Sequence, residues 1–376
     1  MFVKFAAAAL ISLFALLVFS GCGASGEKEF VLPDIPELGE PVKTELCRAE
    51  CFSIYDYRNG DSLIVTDDGG VYLISEKKPE GLDDGVVFIR RGTDKIYMAA
   101  SAVMSFFDAL GRVSDIRFSA LEEKSWEFES ARGAMSDGDM IYAGKYRDPD
   151  YELLLKEGCS LSIQSTMSGH VPKVRQKLTE IGIPVFVDRS SYEPHPLGRC
   201  EWIKVYARMT GETELGDKLF EEQKAYFDAL DDRADSGKTA VFFYISASGR
   251  IVTRKSGDYV TKMIEMAGGE NVFDFIGEDN ASSSVTLEPE QFCIYAKDAD
   301  IIFYNANLGG EISSVDELLS KYGLLREFKA VRNGDVWCTG RSVYQDIMKM
   351  GEMLSEFHSI FFGETDGGLK YFYRLG

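Results

Sequence analysis

The chain has 376 residues, 45% of them apolar and 12% aromatic, with a formal net charge of -20. That acidity excludes a nucleic-acid binder, because no basic stripe is present to neutralise phosphates. Length and apolar content together call for more than one hydrophobic core and predict two lobes in a monomeric, soluble protein.

The first 22 residues carry an address. Lys4 is followed by an apolar run from Phe5 to Phe19, about 15 residues, shorter than the ~20 of a membrane span and suited to the core of a signal peptide. Phe19-Ser20-Gly21-Cys22 reads as a bacterial lipobox, with Phe19 in place of the usual leucine. Cleavage there makes Cys22 an acylated N-terminus and holds the protein on the outer face of the cell membrane. Gly23 to Lys43 is polar and reads as a tether. The expected boundaries are 1–21 signal peptide, 22–50 lipidated N-terminus and tether, 51–211 N-terminal lobe, 212–236 connecting helix and 237–376 C-terminal lobe.

Strand patterns begin at Phe52–Tyr55, Ser62–Thr66 and Gly70–Ile74, with Asn59-Gly60 and Asp68-Gly69-Gly70 as hairpin turns between them. Gly85–Ile89 and Ile96–Ala100 are two further strands. The period then changes: Val103, Phe106, Phe107 and Leu110 recur at helical spacing, stopped by Gly111. A strand and helix alternation follows. Tyr151–Leu155 is a short helix, Ser160–Gln164 a strand, Val171–Ile181 a helix ended by Gly182, and Ile183–Val187 a strand. Leu197–Met209 is helical, and a second helix runs from Thr213 to Asp232. Thr239–Tyr244 opens a second series, with a helix at Tyr259–Ala267, strands at Ala299–Tyr304 and Gly334–Cys338, and a closing helix at Tyr344–Phe361. The pattern is α/β with buried parallel strands.

Of seven cysteines, Cys159, Cys293 and Cys338 fall in apolar contexts and read as inert core thiols. Cys47 and Cys51, four apart, lack the second pair that a zinc site needs. No hydrolase elbow, phosphate loop, zinc-protease or dinucleotide motif is present, so an enzyme is not expected.

In this order the segments resemble the substrate-binding lipoproteins of ABC importers for ferric siderophores, haem and cobalamin. The resemblance rests on Ile96–Ala120 with its Asp108-Ala-Leu-Gly111 ending, Gly144–Ile163, Gly182–Val185 and Pro194–Trp202. It continues through Ala267–Asn271, Ala296–Ile302 and Ala330–Trp337. It covers roughly residues 90 to 362 and departs locally at Glu157-Gly-Cys-Ser160. It implies two Rossmann-like lobes across a ligand cleft, joined by the single long helix 213–232, with only modest hinge movement. It also implies an ABC permease dimer with its ATPase as partner. One glutamate on each lobe would pair with permease arginines, here Glu152 and Glu290, with Glu288 two residues away as a substitute.

The cleft is expected at loops beyond the C-terminal ends of strands. Those loops offer Ser101, Met167, His170, Tyr192, His195 and Arg199 in lobe one, and Arg250, Asn305, Arg341 and Tyr344 in lobe two. The three arginines suit an anionic ligand and the tyrosines a macrocycle or iron. Arg199 has pairing with Glu201 as its alternative, and a loop tyrosine has packing. His170 and His195 are expected to approach the cleft together, too small a set for a receptor of free zinc or manganese. No cofactor or resident metal is expected, although the ligand itself carries iron or cobalt. A ferric siderophore or haem is the first expectation and cobalamin the second.

Overall fold

Continuous apolar runs such as Ala240–Phe243 and Ile301–Tyr304 need cover on both faces, which a parallel sheet flanked by helices supplies. The computed structural model describes residues 32–230, 235–277, 284–365 and 368–376, and in it both runs are buried central strands. The signal segment and Cys22 lie outside the described residues. Residues 35–376 form one compact unit.

Lobe one is built on five strands, all parallel, in the order Val185–Asp188, Leu161–Ser165, Ile96–Met98, Ile116–Ser119, Ile141–Tyr142. Lobe two is a seven-stranded mixed sheet. Its parallel centre is Lys238–Ile245, Ile301–Tyr304 and Val336–Thr339, with Gly269–Asn271 beside the start of the first. Ile251–Arg254 and Ser284–Leu287 extend one edge and Phe372–Arg374 the other, all antiparallel. The expected α/β architecture of two lobes is present.

The joint is the helix Thr213–Asp228, shorter at its end than the predicted 213–232. It packs on Ile203–Thr210 of lobe one and on Met350–Phe362 of lobe two. Both crossings depend on glycine. A Cβ on Gly216 would run into the Ala207 Cβ, and one on Gly351 into the Tyr226 ring. A single apolar cluster continues across the joint, from Phe106, Trp202 and Tyr206 through Phe227 and Tyr259 to Met353 and Phe357. Opening the lobes would expose that core, so the joint is stiff.

Two expectations need correction. The predicted helix Leu197–Met209 is two, Pro196–Glu201 and Ile203–Thr210, turning at Trp202. The proposed tether 22–50 overruns into the fold: Ile35 is buried and Val42–Thr44 is a strand. That strand opens a separate sheet of Val42–Thr44, Phe52–Asp56, Ser62–Thr66, Val71–Ser75 and Val86–Arg90, antiparallel except for the last pair. The Asn59-Gly60 and Asp68-Gly69 turns hold as predicted, with Gly60 and Gly69 at φ +88° and +86°. This accessory sheet is bolted to lobe one. Phe52 meets Trp202 at 4.7 Å, Tyr72 meets Phe186 at 4.6 Å, and Arg208 forks onto Asp56 at 2.8 and 2.7 Å. Backbone N–H groups of residues 47–51 donate to the buried carboxylates of Glu201 and Glu193. Cys47 and Cys51 are both free thiols.

Candidate functional site

The C-terminal ends of the two parallel sheets face one another. Gln345, shortly beyond Val336–Thr339 in lobe two, donates to the Ser125 carbonyl at 2.8 Å and accepts from the Glu127 N–H at 3.0 Å in lobe one. Behind it the Ser105 hydroxyl donates to Asp346 at 3.1 Å and accepts from the Met348 N–H at 2.9 Å. These contacts bind the lobes at the base of a cleft. Burial pushes the Asp346 carboxyl up to about 6, partly offset by the Ser105 hydrogen bond.

The lobe-one wall holds a cavity of about 560 Å³. Ala99 to Ala102, Ala120 to Glu122, Lys124, Ser125, Tyr142, Lys145, Tyr146, Ser165, Met167 and Asp188 line it. The Ser119 hydroxyl shapes one loop by donating to the Leu121 carbonyl at 2.6 Å and accepting from the Trp126 indole at 3.0 Å. Tyr142 and Met167 are substantially exposed. The lining offers aromatic and thioether surface with lysine ammonium groups at its edge.

The floor is a buried row of charges. Asp188 accepts from Ser190 at 2.7 Å and Tyr206 at 2.8 Å, and burial raises its carboxyl above the usual range. Arg199 lies 3.8 Å over the Tyr259 ring and electrostatically favours both Asp188 and Asp258. Arg254 pairs with Asp258 at 3.4 Å and donates to the Tyr344 hydroxyl at 2.8 Å, which also accepts from Asn305 at 2.7 Å. Among the described residues, Arg199 Nε, the Tyr259 hydroxyl and Asn305 Oδ1 are buried without a hydrogen-bond partner.

The expected site residues therefore separate. Ser101 and Met167 line the cavity together. Arg199, Asn305 and Tyr344 meet in the floor, with Arg199 and Asn305 buried. Arg250 is exposed beside Ser248, and Arg341 forks onto Glu311. Tyr192 is exposed, with its ring against Arg189, and does not line the cavity. The two histidines do not converge. His170 is exposed at the end of Thr166–His170, while His195 caps the helix Pro196–Glu201 through Nδ1 and lines a pocket with Cys47, Lys224 and Phe227. Proline at the first helical position makes residue 195 the cap, which turns its ring toward the connecting helix. No group of His, Cys, Asp and Glu among the described residues is arranged to hold a metal ion.

Glu122, Lys124, Tyr142, Lys145 and Tyr146 escaped the sequence reading. They lie at the end of or just after Ile116–Ser119 and Ile141–Tyr142, strands of four and two residues too short to show a period. The usable signal was the rule that loops after parallel strands make the site. Glu152 and Glu290 are exposed, each in the first turn of a short helix, Tyr151–Lys156 and Pro289–Ala296. The first helix follows a two-stranded ribbon of Gly144–Lys145 and Asp148–Pro149, the second follows the edge strand Ser284–Leu287, and neither glutamate has an ion pair among the described residues.

Residues 114–343 match the family described as "Periplasmic binding protein". An uncharacterized lipoprotein of Methanocaldococcus jannaschii is 23% identical over 314 residues, 79% of this chain and 72% of its own length. A periplasmic binding protein from Veillonella parvula superposes with a TM-score of 0.58 at 16% identity, covering 73% of this chain and 92% of its own. The petrobactin-binding protein of Bacillus subtilis gives 0.56 at 12% identity, with 73% and 93% covered. The periplasmic haem-binding protein of Vibrio cholerae gives 0.54 at 20%, with 69% and 98% covered. The solved structures are thus spanned almost whole, while more than a quarter of this chain has no counterpart in them. The family match begins C-terminal to the accessory sheet.

Proposed function

Because this chain belongs to the periplasmic binding protein family, a family of carriers rather than catalysts, we propose that it is the extracytoplasmic solute receptor of an ABC importer. Its cargo is an iron chelate, a ferric siderophore or haem. The observation that carries this reading is the cavity of about 560 Å³ at the strand ends of lobe one, whose lining includes the buried Asp188 and Ser125, the residue whose carbonyl accepts from Gln345 of lobe two. Aromatic and thioether side chains suit the organic shell of a chelate, and Lys124 and Lys145 suit its anionic groups. A chelate brings its iron already coordinated, so the receptor needs no ligand cage of its own. The petrobactin- and haem-binding neighbours support this cargo class through shared fold alone.

Delivery is assigned to Glu152 and Glu290. Each is an exposed carboxylate on one lobe, placed to receive a permease arginine in a forked pair that sets docking register more than affinity. Retention at the membrane is assigned to acyl chains on Cys22, in keeping with the lipoprotein name of the archaeal relative. The test is the pair Glu152→Arg and Glu290→Arg in a cell fed a ferric chelate. Uptake falls to background while the purified variant binds the chelate as the parent does. Normal uptake by the double variant refutes the docking role.

A further inference from the structure

The helices that carry Glu152 and Glu290 share a second feature. In Tyr151–Lys156 the side chain one turn beyond Glu152 is Leu155, 51% exposed. In Pro289–Ala296 the side chain one turn beyond Glu290 is Ile294, 73% exposed. Spacings of three and four residues place each apolar side chain on the same helix face as its glutamate. Neither is a core residue out of place, because each helix already buries its inner face, through Leu154 in the first and Phe292 and Ala296 in the second. Lobe two adds more. Tyr295, beside Ile294, is 45% exposed and packs at 4.6 Å between ring centres on Phe275, itself 53% exposed. Both rings also meet the buried Phe273, at 6.2 and 6.3 Å, so the pair is held against the core. The lobe-one helix exposes a single large apolar side chain, Leu155.

Clustered apolar side chains rimmed by charge mark a contact with another molecule. Rings already ordered against a core lose little freedom when the partner arrives. Charge decides the partner. Exposed carboxylates stand at the start of both helices, Asp150 and Glu152 on lobe one and Glu288 and Glu290 on lobe two. They suit basic side chains around an apolar socket. A second copy of this chain, with its net charge of -20, would meet them with like charge, and an anionic lipid surface would repel them too. Two lobes that repeat one acid-and-apolar pair suit a partner that repeats its own site, as a permease of two subunits does.

Resting on the docking reading above, we infer that Leu155 and Ile294 are apolar anchors for the permease, and that docking is asymmetric: lobe two holds the hot spot, with Ile294, Tyr295 and Phe275 entering a socket rimmed by arginine or lysine. The glutamates set register, and the anchors supply affinity.

The test begins in the cell that makes this chain, with the full chain carrying photoreactive benzoylphenylalanine at position 294, 155 or 42. Val42 is the control, exposed on the accessory sheet. On irradiation, positions 294 and 155 form adducts with a membrane-spanning permease subunit and position 42 forms none. That permease, purified with its ATPase in lipid nanodiscs, is then the probe for the mature chain. Ile294→Ser combined with Tyr295→Ser weakens binding about thirtyfold, Leu155→Ser about threefold, and Ile294→Leu stays within about twofold of the parent. All three melt as the parent does, since the side chains are exposed. Should the double variant not fold, Ile294→Ser alone decides, with a loss of about tenfold. An adduct of position 294 with a second copy or with lipid, no adduct, or an equal permease adduct at position 42 overturns the inference. Equal losses from the two lobes, or none, overturn it as well. If Glu152→Arg with Glu290→Arg stops uptake while the serine variants bind as the parent does, the anchors fall and the docking reading stands. If uptake survives that charge reversal and position 294 finds no permease, both fall.

Discussion

The lobe-one wall of the cleft and the floor beneath it are built on opposite principles. The wall is open: Tyr142 and Met167 are substantially exposed in the cavity lining, together with Lys124 and Lys145. The floor is closed: Arg199 is spent on Tyr259, and Arg254 on Asp258 and Tyr344. Arg199, which suggests an anion fork in sequence, lies in the fold against Tyr259 of the other lobe, while Arg250 and Arg341 stay exposed. The difference separates capture from organisation, with binding energy expected at the wall and lobe geometry fixed by the floor.

Breaking the floor has the largest expected effect. Asp258→Ala leaves Arg254 and Arg199 buried without their shared carboxylate and is expected to cost about 3–5 kcal/mol of stability, measured by chemical denaturation. Next comes Asp346, whose carboxyl is raised by burial from the ordinary value to about 6. The folded state therefore favours its protonated form. That contribution is fully present below about pH 4 and is lost as pH rises through about 6, on the order of 3 kcal/mol. Asp346→Asn removes this slope between pH 4 and 6, and thermal unfolding across that range checks it. A parent with no slope there contradicts the assignment.

At the wall the expected signs reverse. Tyr142→Ala leaves stability within about 0.5 kcal/mol of the parent, while chelate affinity falls about tenfold. Fluorescence titration and a melting curve on the same sample read both. The smallest effect belongs to Arg341→Ala. This exposed residue is paired with exposed Glu311, so neither the melting temperature nor affinity should move measurably. A large loss of affinity would place Arg341 on the ligand and redraw the lobe-two wall.

How much of this could be read beforehand varies by element. The parallel core strands at 185–188, 301–304 and 336–339 were legible as short apolar runs bounded by turns, and 161–165 by its Leu-Ser-Ile-Gln-Ser alternation. Gly111, Gly182 and Gly334 marked turns, and all three have positive φ. The fate of the arginines was not legible. Whether Arg199 faces a ligand or Tyr259 depends on contacts between residues 60 positions apart in different lobes, which periodicity does not encode. The sequence shows the accessory sheet as strands but does not separate it from the N-terminal lobe. Its hairpins resemble any others, and its separateness lies in which strands pair, not in their composition.

The central claim is that the cleft captures an iron chelate without transforming it. Equilibrium dialysis of the mature protein against haem, a ferric catecholate, a ferric hydroxamate and cobalamin tests it most directly, with the recovered ligand checked for chemical change. Saturable binding of one iron chelate at one per chain, with the chelate recovered intact, is the predicted result. Binding of cobalamin alone, of none of the four, or recovery of an altered chelate would contradict it.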